Sequence, residues 1–168
     1  MLRLMLLRHA TAVPQGSMPD FERVLSTQGL SEAQAVSAYC KTELLWPDLA
    51  LVSPAARTRA THQAFGDQGL THAVRFEQPL YSMQADELLA HLQQVSDTVR
   101  VLLYVGHNPA CAELALALTG FGDRYAAMRM RTNFAPAGLA VLDFDCDGWQ
   151  DIGRGAGRLD RFRTPEIG

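Results

Sequence analysis

The apolar run Leu2 to Leu7 stops abruptly at Arg8-His9, and this transition constrains the fold more than any other feature. Only Arg3 interrupts the run. It reads as a strand buried on both faces, and such strands belong to sheets with helices on each side. The rest of the chain alternates to match. Residues 11 to 27 hold Pro14, Gly16 and Pro19 and predict a long loop. Leu30, Ala33, Val36, Cys40 and Leu44 recur at helical spacing, predicting a helix from about Gln28 to Leu45 with Thr27 as N-cap. Leu49 to Val52 predicts a short strand. Ser53-Pro54 then predicts a helix start, with serine capping and proline in the first turn, running to about Phe65. Ala73 to Phe76 predicts a strand, Ala85 to Val95 a helix, and Thr98 to Val105 the clearest strand of all.

That last strand ends at Gly106-His107-Asn108-Pro109, where Asn108 caps and Pro109 opens a helix closing near Gly120. Leu139 to Phe144 and Trp149 to Ile152 predict a hairpin across Asp145 to Gly148. The expected architecture is an α/β three-layer sandwich with a mainly parallel central sheet and helices on both faces. The 168 residues fit one domain, 1–168, with 153–168 expected as a loosely ordered tail rich in Gly and Arg.

Composition narrows the classes of function. A net charge of -3 carries no basic excess of the kind that marks nucleic-acid binding. The opening MLRLMLL is too short for a secretory signal and meets Arg8 where a small-residue cleavage site is needed. No stretch has the apolar length to span a bilayer. Cys40, Cys111 and Cys146 are odd in number, widely spaced and match no metal pattern, so they are read as reduced thiols in a cytoplasmic protein.

In sheets of this kind, ligands bind at the carboxyl ends of strands, where loops feed helix N-termini. Three predicted strands deliver polar residues there. The first ends at Arg8-His9, the second leads through Ser53-Pro54 to Arg57, and another ends at His107. Helix starts favour anions, and the planar arginine fork holds two phosphate oxygens at once. A histidine beside a phosphoryl group so held can attack phosphorus, giving a covalent phosphohistidine. A second, protonated histidine can donate a hydrogen bond to the developing charge. Arg57, on a first helical turn, is expected to be exposed and to have no part in folding.

Leu6-Leu7-Arg8-His9-Ala10, Ser53-Pro54-Ala55-Ala56-Arg57 with Thr61, and Val105-Gly106-His107-Asn108-Pro109 together resemble the histidine phosphatase superfamily. The closest likeness is to its short bacterial phosphohistidine phosphatases of the SixA type, and it covers about residues 2 to 120. The resemblance implies a phosphoglycerate mutase-like fold, with His9 as nucleophile and Arg8, Arg57 and His107 as phosphate ligands. Ala10 stands where the superfamily most often has glycine. The glutamate proton donor that many members carry in an inserted segment has no clear counterpart. Glu77 and Asp86 are the nearest candidates.

Single residues carry weaker readings. Arg59 reads as a solvated helix charge, and His62, His72 and His91 as surface or boundary histidines without partners. Asp143, Asp145 and Asp147 read as a solvated loop, and Arg23 as a residue at the pocket rim. No HExxH, HxH or carboxylate–histidine cluster supports a metal, and two arginines repel a dication, so neither metal nor cofactor is expected. Three functions follow: a phosphatase acting on phosphohistidine of a partner protein, a phosphatase of small phosphoesters such as sugar or nucleotide phosphates, or a non-catalytic phosphate-binding module. An intact nucleophile argues against the last.

Overall fold

The computed structural model describes residues 1–16 and 18–165. Its strands are β1 (Leu2–Arg8), β2 (Leu49–Val52), β3 (Ala73–Phe76), β4 (Val101–Gly106), β5 (Thr119–Gly122), β6 (Leu139–Phe144) and β7 (Gly157–Arg163). They form one sheet in the order β3-β2-β4-β1-β6-β7-β5. Neighbours pair in parallel except where β6 meets β1 and β7, so β6 alone runs against the rest. The helices are α1 (Thr27–Thr42), α2 (Ala56–Asp67), α3 (Ala85–Leu92), α4 (Ala110–Leu118) and α5 (Arg124–Thr132).

Strand β1 explains the layering. Leu2, Leu4 and Leu6 face one way and pack with Leu88 and Leu92 of α3, Leu114 of α4 and Met130 of α5. Met5 and Leu7 face the other way and pack with Val36 and Cys40 of α1 and Phe65 of α2. Alternate residues of a strand point to opposite faces, so an unbroken apolar run is what a doubly covered strand requires. Each such side chain contributes about 1.5–3 kcal/mol by leaving water. Among the described residues, no helix is long and apolar enough to cross a membrane.

Several expectations need correction. The N-cap of α1 is Ser26, whose Oγ accepts from the Gly29 amide, so Thr27 is the first helical residue. Leu30 and Leu44 are exposed, and the buried face of α1 runs through Ala33, Val36 and Cys40. Trp149 to Asp151 form a 3-10 turn, not a strand, because the Trp149 indole is buried and donates to the Val99 carbonyl at 2.7 Å. The partner of β6 is β7, in the segment expected to be a loose tail; residues 166–168 of that tail lie outside the described residues. Gly157, Leu159 and Phe162 of β7 are buried, while Arg158, Arg161 and Asp160 join an ion-pair cluster. At the centre of that cluster is Asp143, a β6 residue only 4% exposed. It accepts from Arg3 Nε at 2.7 Å and Nη2 at 2.8 Å and from Arg158 Nη2 at 2.7 Å, which corrects the solvated-loop reading.

Candidate active site

Strands β2, β4 and β1 lie side by side in parallel, so their carboxyl ends open onto one edge. The His9 amide donates to the Gly106 carbonyl at 2.9 Å, and the Ser53 amide to the Val105 carbonyl at 3.0 Å. These main-chain bonds carry the register past the strand ends. They set His9, His107 and Ser53 next to one another. Gly106 is glycine because a Cβ there would stand 1.9 Å from the Tyr104 hydroxyl.

The imidazoles of His9 and His107 are 5.5 Å apart between ring centres. His9 Nδ1 is 2.6 Å from the Ala10 carbonyl oxygen. A carbonyl can only accept, so Nδ1 carries the proton and Nε2 keeps its lone pair. Burial pushes the His9 pKa down to about 4, helped by the charges of Arg57, Arg8 and Arg23. The ring is therefore neutral and nucleophilic at neutral pH.

Ser53 and Pro54 do not start α2. The N-cap is Ala55, without a side-chain bond, while the Ser53 carbonyl accepts from Thr58 Oγ1 at 2.6 Å. Ser53 Oγ instead meets His107 Nε2 at 2.7 Å. Arg57 Nη2 reaches His107 Nδ1 at 3.3 Å. A guanidinium can only donate, so Nδ1 accepts and the Nε2–H donates to Ser53. Burial, then the Arg57 charge, lower the His107 pKa to about 3. In the free protein this ring is neutral, against the expectation of a protonated second histidine.

Arg57 is buried, only 6% exposed, which overturns its expected exposed position. Its Nη1 donates to the Asp20 main-chain carbonyl at 2.8 Å and its Nη2 to Asp20 Oδ2 at 3.1 Å. Arg8 Nη1 donates to the Phe134 carbonyl at 3.0 Å, and Asn108 Nδ2 shares that acceptor at 3.0 Å. The Nε atoms of Arg8 and Arg57 are buried without a partner among the described residues. A buried cationic donor left unpaired is costly, and an oxyanion is the ligand that satisfies it.

The loop after His9 is pinned from two sides. The Ala10 amide donates to Thr61 Oγ1 at 3.0 Å, and Thr61 Oγ1 donates to the Arg57 carbonyl at 2.7 Å. Glu32, buried on α1, accepts from the Thr11 amide at 2.8 Å and Thr11 Oγ1 at 2.9 Å. Gly29 lets α1 lie directly against the Thr11 carbonyl.

The structure brings His9, Arg8, Arg57 and His107 together, as expected from the sequence. It does not bring in the two candidate acids. Glu77 pairs with His91 at 3.1 Å, so His91 has a partner after all, and Asp86 pairs with Arg154 at 2.6 Å. His62 and His72 also have partners, namely each other, with Nε2 atoms 2.8 Å apart. Arg59 lies over the Phe76 ring rather than free in solvent. Asp20 and Tyr81 escaped the sequence reading. Tyr81 O–H donates to Asp20 Oδ2, and its ring stands edge-on to His107 with centres 5.5 Å apart. Arg23 approaches this group, donating to Asp20 Oδ1 at 2.8 Å. For Asp20 the sequence signal was an acidic residue near Arg23 in a long loop, and Tyr81 carried none. Beside His107 opens a cleft of about 350 Å³ lined by Tyr81, Gln84, Asn108, Pro109 and Glu113 among others.

No family model matches the chain. It is 32% identical over 164 residues to the uncharacterised protein ML1117 of Mycobacterium leprae, covering 95% of this chain and 99% of that one. Among solved structures it is similar to one from Nakamurella multipartitia, named as a candidate phosphohistidine phosphatase SixA. That match has 28% identity and a TM-score of 0.86 over 99% of this chain and 97% of the other. A candidate SixA from Agrobacterium tumefaciens gives 28% identity and a TM-score of 0.83, covering 98% of each chain.

Proposed function

The chain belongs to the histidine phosphatase superfamily, in its short SixA-type branch, and from that premise we propose that it removes phosphate from phosphohistidine on a partner protein. One observation carries the reading: a neutral His9 whose Nδ1–H is spent on Ala10, leaving Nε2 free among Arg8, Arg57 and His107. In this reading the Nε2 lone pair forms the N–P bond as the bond from phosphorus to the departing nitrogen breaks. The departing ring, already protonated by solvent on its second nitrogen, keeps that electron pair and leaves as neutral imidazole. Arg8 and Arg57 hold the equatorial oxygens. The arriving dianion raises the proton affinity of His107 Nδ1, so that it too can donate. Water then attacks the phosphorylated His9, releasing inorganic phosphate and returning a proton to solvent. The arginines supply the positive charge that a metal would otherwise bring, so the reading includes metal independence.

The choice of substrate rests on the acid. Neither Glu77 nor Asp86 meets the pocket, and Asp20, which does, is held ionised. The Tyr81 hydroxyl, then Arg23 and Arg57, keep its carboxyl well below the usual range. An alkoxide leaving group needs a positioned acid worth roughly a hundredfold or more. Imidazole, with a pKa of about 6.5, protonates readily near neutral pH. The second reading, a small-phosphoester phosphatase, is favoured by Glu113, which lines the cleft beside His107. Initial rates on a phosphohistidine peptide, a phosphoserine peptide and a sugar phosphate, all in chelator, separate the two. A phosphohistidine rate at least about tenfold above the others is expected. A faster phosphoester rate, abolished by Glu113→Gln, gives the decision to the second reading, and a rate collapsing in chelator removes metal independence.

A further inference from the structure

We infer that Asp20 is a positioning residue for Arg57, gripping the outer end of the guanidinium so that its Nε edge is presented to a phosphoryl group. The inference rests on the phosphate-binding reading of the site and adds how one of its ligands is aimed.

A guanidinium is a flat fork with donors on three nitrogens. Both terminal nitrogens of Arg57 are taken by one residue. Nη1 is bound to the Asp20 main-chain carbonyl at 2.8 Å and Nη2 to the Asp20 carboxylate at 3.1 Å. The second Nη2 hydrogen points to His107 Nδ1 at 3.3 Å. Of the five N–H groups, the second Nη1–H lies on the far side, and Nε is the one nitrogen left buried without a partner among the described residues. The Nε–H and the Nη2 hydrogen aimed at His107 share one edge, the edge facing His107.

Asp20 is itself held on its other sides. Tyr81 O–H donates to Oδ2, Arg23 Nη1 to Oδ1 at 2.8 Å, and Gln15 Nε2 to Oδ1 at 3.3 Å. Arg23 is fixed in turn by donating from Nε to the Val13 carbonyl at 3.0 Å. The clamp thus joins the 3-10 turn Asp20–Glu22, the 3-10 turn Gln78–Tyr81 and α2. No residue of the first turn is fully buried; its one aromatic, Phe21, meets the Tyr81 ring edge-on with centres 5.1 Å apart, so the polar clamp and this contact together hold the turn.

A competing account makes the carboxylate a placeholder that phosphate must expel. Two features oppose it. Half of the grip is a main-chain carbonyl, which cannot swing aside as a side chain does. Expelling the carboxylate also breaks its bonds to Tyr81, Arg23 and Arg57 together. Arginine has large rotamer freedom, and a clamp that freezes it beforehand leaves less to be lost when phosphate binds.

Inorganic phosphate is titrated calorimetrically into the full-length protein and into Asp20→Ala, Asp20→Asn and Tyr81→Phe, with melting curves recorded alongside. The same proteins are assayed for kcat and KM on 4-nitrophenyl phosphate. Asp20→Ala should weaken phosphate binding by about tenfold, and Tyr81→Phe by less, with the variants still folded at the titration temperature by their melting curves. Asp20→Asn, which keeps an acceptor oxygen, should recover part of the loss. Unchanged or tighter phosphate binding by Asp20→Ala overturns the clamp and favours the placeholder. If Asp20→Ala does not fold, unchanged phosphate binding by both Asp20→Asn and Tyr81→Phe overturns it equally. Wild-type protein that binds phosphate yet turns over no phosphorylated compound refutes the phosphatase reading, and the variants' affinities still decide the clamp. Wild-type protein that binds no phosphate refutes both.

Discussion

The molecule holds two histidine pairs that look alike in isolation. His9 and His107 have ring centres 5.5 Å apart; His62 and His72, 5.0 Å apart. Burial is the first cause of the lowered pKa in all four rings, and it takes both His9 and His62 to about 4. Their surroundings differ. His62 and His72 bond each other and sit among Phe65 and Phe76, while His9 and His107 sit among Arg8, Arg57 and Arg23. A depressed histidine pKa therefore does not mark a reactive site. Cations with unpaired donors beside the ring do, because they give an incoming oxyanion somewhere to go.

The most drastic way to break the comparison is His9→Ala. Turnover should vanish, along with the alkali-stable, acid-labile label that the wild type should acquire from labelled substrate in an acid-free quench. Label persisting in the variant would assign the nucleophile elsewhere.

Arg57→Ala comes next, since Arg57 is the cation that distinguishes the pairs. A loss of at least roughly a hundredfold in kcat is expected, by analogy with deleting one oxyanion donor. Because Arg57 is buried and bonded to Asp20 and His107, its melting temperature should also fall, contrary to the sequence expectation. An unaltered kcat removes Arg57 from the pocket.

The smallest effect on turnover is expected from His62→Gln, which should leave kcat within about twofold on the view that only rings beside cations with unpaired donors react. Its effect belongs to stability. The folded pKa of His62, about 4, lies below an unfolded value of about 6.5, so the unfolded chain binds more protons between them. Stability present above about pH 6.5 is thus lost as pH falls toward 4. Removing one such ring should flatten the acid limb of a melting-temperature profile. A tenfold loss of kcat in this variant would mean that the two pairs are not functionally distinct.

The half of the sheet that carries the chemistry was readable in the sequence because its strands are doubly buried and end in abrupt polar switches: Arg8-His9 after Leu7, His107 after Gly106. In the other half β6 was readable as well, whereas β5 and β7 were not. In β7, Arg158, Asp160, Arg161 and Arg163 outnumber the buried Leu159 and Phe162, and Asp143, the acidic partner of Arg158, lies on another strand. Asp20 and Tyr81 were hidden for a related reason. Their role is fixed by contacts across 37 and 61 residues, and neither lies in a periodic segment. Residues aimed by their own strand could be found locally, whereas those aimed by a distant partner needed the fold.

Gly29 gives the site a mechanical character of its own. A Cβ there would stand 1.9 Å from the Thr11 carbonyl oxygen, and both sides of that contact are main chain. No rotamer can absorb it, so the helix and the strand-end loop meet as two hard surfaces with a fixed gap. The spacing of the nucleophile from its arginines is therefore calibrated at a position that never meets substrate. For a designer, position 29 works as a shim: pocket residues can be varied around it, but adding one carbon there displaces the whole loop and detunes every one of those variants at once.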